Sequence, residues 1–209
     1  MNELRPIVFI VDDEPSVCVA LGRLISSIGV EVRTFNFARE FLAAERPDVP
    51  GCLILDVRLP DMSGLDLQAE LVKANIDLPI VFLTGHGDIS MSVRAMKAGA
   101  AEFLTKPCKD QDLLDAIQRG IQQHRTTRER GAEISALRRR YQLLTQRERD
   151  VFPLVVSGLL NKQIAARLGA SEKTVKIHRS HVMRKMQADS LAGLVVQATK
   201  LGILPRSTN

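Results

Sequence analysis

The residues IVFIVDDE, from Ile7 to Glu14, show a pattern that recurs along the first half of the chain: an apolar run that ends in polar residues. CLIL, Cys52–Leu55, leads into Asp56 in the same way, and IVFL, Ile80–Leu83, leads into Thr84. These runs are almost wholly apolar, which is typical of parallel strands covered on both faces. We predict five strands, the second being the weakest: Ile7–Val11, Val30–Thr34, Cys52–Leu55, Ile80–Leu83 and Glu102–Leu104.

The stretches between these strands have apolar residues at helical spacing. Val17, Leu21, Leu24 and Ile28 recur every three or four residues, and Gly29 then ends the predicted helix. Five strands alternating with five helices predict a doubly wound, five-stranded parallel α/β domain. Because ligands bind such sheets outside the carboxyl ends of the strands, we expect the chemistry at that edge.

The second half of the chain has no strand-like run and predicts a separate all-α domain of four helices. We place these helices near Gln146–Val156, Asn161–Leu168, Lys173–Met186 and Ser190–Leu201. The Arg-rich segment before them is either a helical linker that continues the preceding helix or a partly disordered tether. The predicted organisation is therefore a first domain over 1–124, a linker over 125–143 and a second domain over 144–209.

The two halves of the chain differ in net charge. The chain of 209 residues has a net charge of +5, but the part from Arg125 onward has 17 lysines and arginines against 6 aspartates and glutamates. The preceding residues have 12 basic against 18 acidic side chains. A strongly basic second domain favours a polyanion such as nucleic acid as its partner.

Composition excludes several other classes of protein. No apolar segment is long enough to cross a bilayer, and we expect neither a secretory leader nor a membrane partner. Three widely spaced cysteines without a CxxC pair argue against a disulfide framework and a zinc site, and favour the reducing cytoplasm. The absence of tryptophan and an aromatic content of 4% disfavour a base-stacking surface for RNA.

Five side chains are predicted to meet at the carboxyl edge of the sheet: Asp12, Asp13, Asp56, Thr84 and Lys106. Clustered carboxylates repel one another unless a cation neutralises them, and Mg²⁺ prefers oxygen ligands. A carboxylate beside Mg²⁺, a lysine and a hydroxyl are suited to capturing a phosphoryl group. The alternative for any one carboxylate is a helix cap, but the combination favours a site.

Four segments carry a resemblance to a known family. IVFIVDDE, LILDVRLPDMSG, VFLTGHGD and AGAAEFLTKP resemble the signature segments of the receiver domain of two-component response regulators, over about Pro6–Gln123. The resemblance implies a flavodoxin-like fold and a sensor histidine kinase as phosphoryl donor. The chain departs from the family in having Phe103 where tyrosine is frequent and Gly85 where alanine is frequent.

The receiver resemblance also implies a role for each site residue. Asp56 resembles the phosphoacceptor, and Lys106 the lysine that contacts the phosphoryl group. Thr84 and Phe103 match the switch hydroxyl and the switch aromatic, and the peptide before Pro107 is usually cis in the family. The implied Mg²⁺ ligands are Asp12, Asp13, Asp56 and the backbone carbonyl of Arg58.

The segment NKQIAARLGASEKTVKIHRS has the pattern of a helix-turn-helix. Asn161 is predicted to cap the first helix, Gly169 to permit a tight turn, and Ser171 to cap the second helix. The second helix has an apolar back and a basic front, as a DNA-reading helix requires. An ordinary helical hairpin with a solvated basic face is the alternative.

A longer segment, about Leu144–Gly202, resembles the LuxR-type four-helix DNA-binding domain of FixJ/NarL-type response regulators. The motifs are TxRE at Thr145–Glu148, NKQIA, and the S-x-x-TVK-x-H arrangement from Ser171. Pro153 is unusual in the first helix and is expected to shorten or kink it. The implied major-groove residues are Lys176, Ile177 and Ser180. The implied phosphate contacts and their supports are Asn161, Lys162, Lys173, Thr174, Arg179 and Arg184.

These observations predict a cytoplasmic, phosphorylation-controlled transcription regulator rather than an enzyme. The resemblance implies double-stranded DNA, RNA polymerase and a second copy of the chain as partners, and activation of transcription as the outcome. One rival is a phosphohydrolase of the haloacid dehalogenase type, which expects D-x-D after the first strand instead of Asp12–Asp13. The other is a non-catalytic adaptor that binds RNA.

Overall fold

The computed structural model describes residues 5–85 and 88–203. The chain divides into two compact units, Met1–Arg128 and Glu129–Asn209. The first unit has the elements β1 Ile7–Val11, α1 Pro15–Ser26, β2 Glu31–Phe35, α2 Ala38–Ala43, β3 Gly51–Leu55, α3 Gly64–Lys73, β4 Ile80–Thr84, α4 Ile89–Lys97 and β5 Glu102–Thr105. Helix α5, Asp110–Gln142, follows, and then come α6 Gln146–Val156, α7 Asn161–Leu168, α8 Glu172–Met186 and α9 Leu191–Lys200.

The five strands form one parallel sheet in the order β2-β1-β3-β4-β5, which confirms the predicted doubly wound class. Val11, the last residue of β1, lies opposite Phe35 of β2 and Leu55 of β3, so the carboxyl ends share one edge. Observed strand limits differ from the predicted ones by at most one residue. The outer strand β2 is the least buried of the four longer strands, and Arg33 Nη2 lies 3.1 Å from Glu31 Oε1 along it.

Apolar side chains cover both faces of the sheet, because successive residues of a strand point to opposite sides. Phe9 and Leu55 pack with Phe41 of α2 and residues of α3 and α4 on one face. On the other face, Ile10 and Ile54 pack with residues of α1 and α5. The runs IVFIV and GCLIL are buried along their whole length, which explains why they lack the alternation of a half-exposed strand.

Helix α5 lies unusually close to β3. A Cβ atom on Gly120 would come within 2.9 Å of Cys52 Sγ, and the backbone N–H of Gly51 donates to His124 Nδ1 at 2.9 Å. Burial lowers the pKa of His124, which favours the neutral ring that can accept this hydrogen bond.

Helix α5 continues to Gln142 and so runs through almost all of the predicted linker, residues 125–143. Of the two alternatives for this linker, the structure shows the helix. The boundaries 1–124, 125–143 and 144–209 remain a prediction.

The second unit has its own apolar core around Phe152, Val155, Ile164, Val182 and Leu194. Helix α6 keeps its predicted limits although it contains Pro153, so the proline does not shorten it. The carbonyl of Pro153 still accepts hydrogen bonds from the backbone N–H and the hydroxyl of Ser157, at 3.0 and 2.9 Å.

Two further sequence features are placed by the structure. Over residues 5–85 and 88–203, none of the helices combines the length and the apolar character needed to span a membrane. Cys18, Cys52 and Cys108 are free thiols. Burial raises the pKa of Cys52 to about 12 and raises that of Cys18 above its usual range, which disfavours the reactive thiolate form of both.

Candidate functional site

Three carboxylates lie together where β1 and β3 end. Asp12 and Asp13 follow β1, Asp56 follows β3, and one carboxylate oxygen from each lies within 4.8 Å of the other two. Backbone hydrogen bonds continue past the strands and hold this register, since Asp12 N donates to Phe35 O at 3.1 Å and Asp56 N to Val11 O at 2.9 Å. Asp12 and Asp56 are buried, whereas Asp13 is exposed, so the cluster reaches solvent through one of its three members.

The ammonium group of Lys106 joins two of these carboxylates. Its Nζ atom donates to Asp12 Oδ2 at 2.5 Å and to Asp56 Oδ2 at 2.9 Å. Burial acts to lower the pKa of Lys106, but the hydrogen bonds to the two carboxylates outweigh it, so the pKa is raised and the side chain stays charged. The backbone N–H of Lys106 donates to Thr84 O at 2.9 Å, and the Lys106–Pro107 peptide is cis.

One ammonium group does not balance three carboxylates. Burial raises the pKa of Asp12 above its usual 3.8, and the nearby Asp56 charge adds to this, while Lys106 and the backbone N–H of Glu14 oppose it. A buried anion with a raised pKa gains from an additional cation. The donor set consists of hard oxygen atoms, with one exposed member, and therefore fits a divalent ion of the Mg²⁺ type.

The two predicted switch residues lie on one face of the sheet, on the neighbouring strands β4 and β5. Thr84 is the last residue of β4 and is fully buried. Phe103 lies opposite Phe82 in the β4–β5 ladder, with the two ring centroids 5.9 Å apart. Since side chains alternate along a strand, Thr84 points to the same face as Phe82 and Phe103.

The loop after Asp56 is shaped by a residue that sequence reasoning did not single out. The backbone N–H of Arg58 donates to Asp56 Oδ1 at 3.1 Å, and that of Gly64 donates to Val57 O at 2.9 Å. A Cβ atom on Gly64 would lie 2.2 Å from the carbonyl oxygen of Asp56. Only glycine therefore permits α3 to begin this close to the Asp56 backbone. The role of the Arg58 carbonyl as a metal ligand remains a prediction.

We expect Gly64→Ala to displace Asp56 and to slow its labelling by acetyl phosphate by up to about 100-fold, since a misplacement near 1 Å has this effect on positioned groups. The added methyl group is also expected to destabilise the first unit by about 1–3 kcal/mol, as overpacking does. Labelling rates and urea unfolding measure the two effects. Gly22→Ala is the matched control, because the nearest atom to its new Cβ lies 4.0 Å away; equal labelling rates for the two variants would refute the expectation.

Helices α7 and α8 form the predicted helix-turn-helix. Gly169 ends α7 in the left-handed conformation, with φ 63°, and Ser171 caps α8 by accepting from Thr174 N at 3.0 Å. The prediction that Asn161 caps α7 was wrong. Asn161 is the first helical residue, and Gln163 Oε1 accepts from Leu160 N at 2.8 Å and satisfies that end instead.

The nine predicted DNA-contacting residues differ in exposure. Asn161 and Arg179 are half-buried and bonded to each other, since Arg179 Nη1 donates to Asn161 Oδ1 at 3.3 Å. This bond connects the first residue of α7 to the middle of α8. The other seven are exposed: Lys162, Lys173, Thr174, Lys176, Ile177, Ser180 and Arg184.

A buried acid of α6, Glu148, contacts α8 of the helix-turn-helix. Glu148 is 2% exposed and accepts hydrogen bonds from Lys185 Nζ at 2.6 Å and from Thr145 N at 2.8 Å, while His181 Nδ1 lies 3.3 Å from its other oxygen. Although burial opposes ionisation, these partners lower its pKa to about 2. The TxRE motif is the capping-box pattern that signals this arrangement, with Thr145 Oγ1 accepting from Glu148 N.

Comparisons with known proteins agree with both parts of this geometry. The model of the response regulator receiver domain matches residues 8–118, and that of the bacterial regulatory proteins of the luxR family matches residues 142–198. Nodulation protein W of Bradyrhizobium diazoefficiens is 50% identical over 204 residues, which cover 98% of this chain and 90% of that protein. The transcriptional regulatory protein FixJ of Rhizobium meliloti is 43% identical over 199 residues, covering 95% and 97%.

Solved structures show the same relationship. The response regulator StyR has a TM-score of 0.86 and 49% identity, with 94% of this chain and 100% of that chain covered. Full-length FixJ from B. japonicum has a TM-score of 0.57 and 36% identity, covering 95% and 98%. Relatives of this kind are transcriptional regulators of two-component systems rather than catalytic enzymes, which overturns the phosphohydrolase alternative. The chain belongs to the response regulators that join a receiver domain, served by a histidine kinase, to a LuxR-type DNA-binding domain.

Proposed function

We propose that a sensor histidine kinase phosphorylates this response regulator on Asp56, and that the phosphorylated form binds its promoters as a dimer. The observation that carries the proposal is the placement of Lys106 Nζ between Asp12 and Asp56, at the edge of the sheet where the three carboxylates meet. No other acid in the cluster combines burial, a lysine contact and a position at the end of the central strand β3.

In phosphoryl transfer, the protein mainly positions the reacting groups and supplies positive charge for the phosphoryl oxygens. An Asp56 carboxylate oxygen attacks the phosphorus atom, a P–O bond forms, and the P–N bond to the kinase histidine breaks. Lys106 Nζ, 2.9 Å from Asp56 Oδ2, supplies positive charge to the phosphoryl oxygens. Asp12, Asp13, Asp56 and the Arg58 carbonyl would hold Mg²⁺, which when bound neutralises the charge that develops on those oxygens.

The phosphorylated carboxylate changes the nearby β4–β5 edge of the sheet. The Thr84 hydroxyl donates a hydrogen bond to a phosphoryl oxygen and draws its loop inward. The ring of Phe103, which now packs on Phe82, then occupies the space that is vacated. A local change of charge thereby alters the surface of α4 and β5.

DNA is read by α8 in this proposal. Lys176, Ile177 and Ser180 enter the major groove, and exposed basic residues around them contact the phosphate backbone. Arg179 is held by Asn161 and therefore reaches a phosphate from a fixed position. The residues proposed to contact the DNA phosphate backbone, or to support those contacts, are Asn161, Lys162, Lys173, Thr174, Arg179 and Arg184.

Exposed apolar residues support dimerisation. Ile89, Val93 and Met96 lie on one face of α4 and are 84%, 44% and 45% exposed. On α9, Leu194 belongs to the core, whereas Val196 is 53% exposed and Leu191 37%. We propose that the α4 face pairs two phosphorylated receivers, that the DNA-bound dimer contacts RNA polymerase and activates transcription, and that it acts in the cytoplasm.

Mobility shifts on genomic fragments test the proposal. Acetyl phosphate with Mg²⁺ is expected to increase both the dimer fraction and the affinity for a subset of duplex fragments, with an affinity that falls steeply as salt rises. A matching RNA of the same sequence serves as the control for the adaptor alternative. Equal binding with and without acetyl phosphate, or a preference for the RNA, would contradict the proposal.

A further inference from the structure

A cleft of about 280 Å³ lies between the start of α6 and the turn that precedes α8. Arg147 contributes the α6 side, Ser171 and Thr174 contribute the start of α8, and His178 follows one turn later. Two of these four residues, Ser171 and Thr174, are exposed hydroxyl side chains at the end of α8 where the backbone N–H groups begin. The cleft therefore brings a side chain of α6 to the DNA-reading helix.

The guanidinium group of Arg147 has no strong partner among residues 5–85 and 88–203. Its side chain is 72% exposed, and its single ion pair is with Asp150 on the same helix, at 3.8 Å. Exposed pairs of this kind contribute little. Arg149 differs, because it lies 5.9 Å from the Tyr141 ring and donates to Gln142 O at 3.0 Å.

A phosphate group of duplex DNA fits this combination. Ser171 Oγ and Thr174 Oγ1 lie 2.7 Å apart, and Ser171 Oγ accepts from Thr174 N at 3.0 Å, so one hydroxyl of this pair is left to donate outward. An arginine, a hydroxyl group and the positive end of a helix are donors that hold phosphate oxygens. Thr174 is already a proposed backbone contact, so a phosphate near the start of α8 comes within the same cleft as Arg147. Arg147 is the arginine of the TxRE motif, but it lies 24 residues before Ser171 in the chain, so the sequence alone did not place it beside the start of α8.

We infer that Arg147 is an additional DNA-backbone contact, donating from α6 to a phosphate oxygen beside the start of α8. The inference rests on the proposed DNA binding and extends it. Because the contact comes from a second helix, it fixes the angle of α8 on the duplex as well as adding affinity. It carries no base preference, so its effect is the same on every DNA sequence.

The salt dependence of binding to a mixed-sequence DNA duplex tests the inference. For the full-length Arg147→Gln variant, the slope of log K against log salt is expected to fall in magnitude by about 0.9, and affinity near 0.15 M salt by about fivefold. Arg147→Lys is expected to restore most of the slope. Arg138→Gln is the matched control, because it removes one exposed positive charge of the same unit outside the cleft.

The outcomes separate this inference from the proposed function. An unchanged slope for Arg147→Gln, or an equal reduction for Arg138→Gln, overturns the contact while leaving DNA binding intact. A wild-type chain that fails to bind any duplex overturns the proposed function itself. The thermal midpoint of Arg147→Gln is expected to match that of the wild type. If it is lower, the slopes of Arg147→Gln and Arg147→Lys are compared at a temperature at which both variants are folded: a steeper slope for Arg147→Lys supports the contact, and equal slopes overturn it.

Discussion

Asp56→Asn is expected to abolish acid-labile labelling by acetyl phosphate. The amide has nearly the shape of the carboxylate but lacks its nucleophilic oxygen, so neither a small donor nor the kinase can form the aspartyl phosphate. The change also removes one charge from a cluster of three carboxylates, so the first unit is expected to remain folded. Radiolabelled acetyl phosphate followed by acid treatment measures the loss, and mobility shifts should show no gain in DNA binding upon its addition.

Asp66→Asn provides the control for this variant. Asp66 is an exposed carboxylate in the first turn of α3, so its replacement changes the net charge equally without touching the cluster. Its labelling is expected to equal that of the wild type. Undiminished labelling of Asp56→Asn would show that another residue is the phosphoacceptor and would remove the basis of the proposed function.

Glu148→Ala is expected to cost the DNA-binding unit about 3 kcal/mol of unfolding free energy. Removing one member of a buried ion pair costs 3–5 kcal/mol, and Lys185, which is 27% exposed, can turn to water and keep the loss at the lower end. The capping box of α6 is lost as well. Urea unfolding followed by far-UV circular dichroism measures the change, and unaltered stability would contradict the role assigned to Glu148.

The lowered pKa of Glu148 makes the unfolding free energy of the DNA-binding unit depend on pH. Its pKa falls from 4.5 to about 2 in the folded chain. A carboxylate with a lowered pKa stabilises the folded state above its unfolded pKa, and this contribution is lost as pH falls from about 4.5 to 2. Glu148→Gln should flatten the acid limb over that range, whereas Glu129→Gln, an exposed acid of the same unit, should leave it unchanged.

The sheet and its acidic edge could be predicted because the signal is local. Fully apolar runs of four or five residues predict buried strands, and parallel pairing then brings Asp12 and Asp56 together wherever each strand ends. The predicted limits of β2 were one residue too early, because an outer strand is covered on fewer sides and its pattern, EVRTF, is mostly polar.

Features that depend on contacts between distant residues could not be predicted. Position 64 requires glycine because a Cβ atom there would clash with the carbonyl oxygen of Asp56, eight residues earlier. Nothing in the surrounding sequence reveals that these two residues lie so close together. Asn161 has the residue type of a helix cap, yet its side chain bonds to Arg179 in α8. On α9, Leu194 and Val196 are equally apolar, and only packing decides that the first is core and the second exposed.

The open sides of the sheet have a consequence for how copies of the chain associate. β2 and β5 are its two outer strands, and within residues 5–85 and 88–203 each has one edge of backbone N–H and C=O groups that no further strand covers. β5 is only four residues long, and β2 carries the paired charges of Glu31 and Arg33, features that discourage strand addition and aggregation. Growth of the sheet from one molecule into the next is therefore disfavoured, which leaves the dimerisation proposed above to side chains on helices.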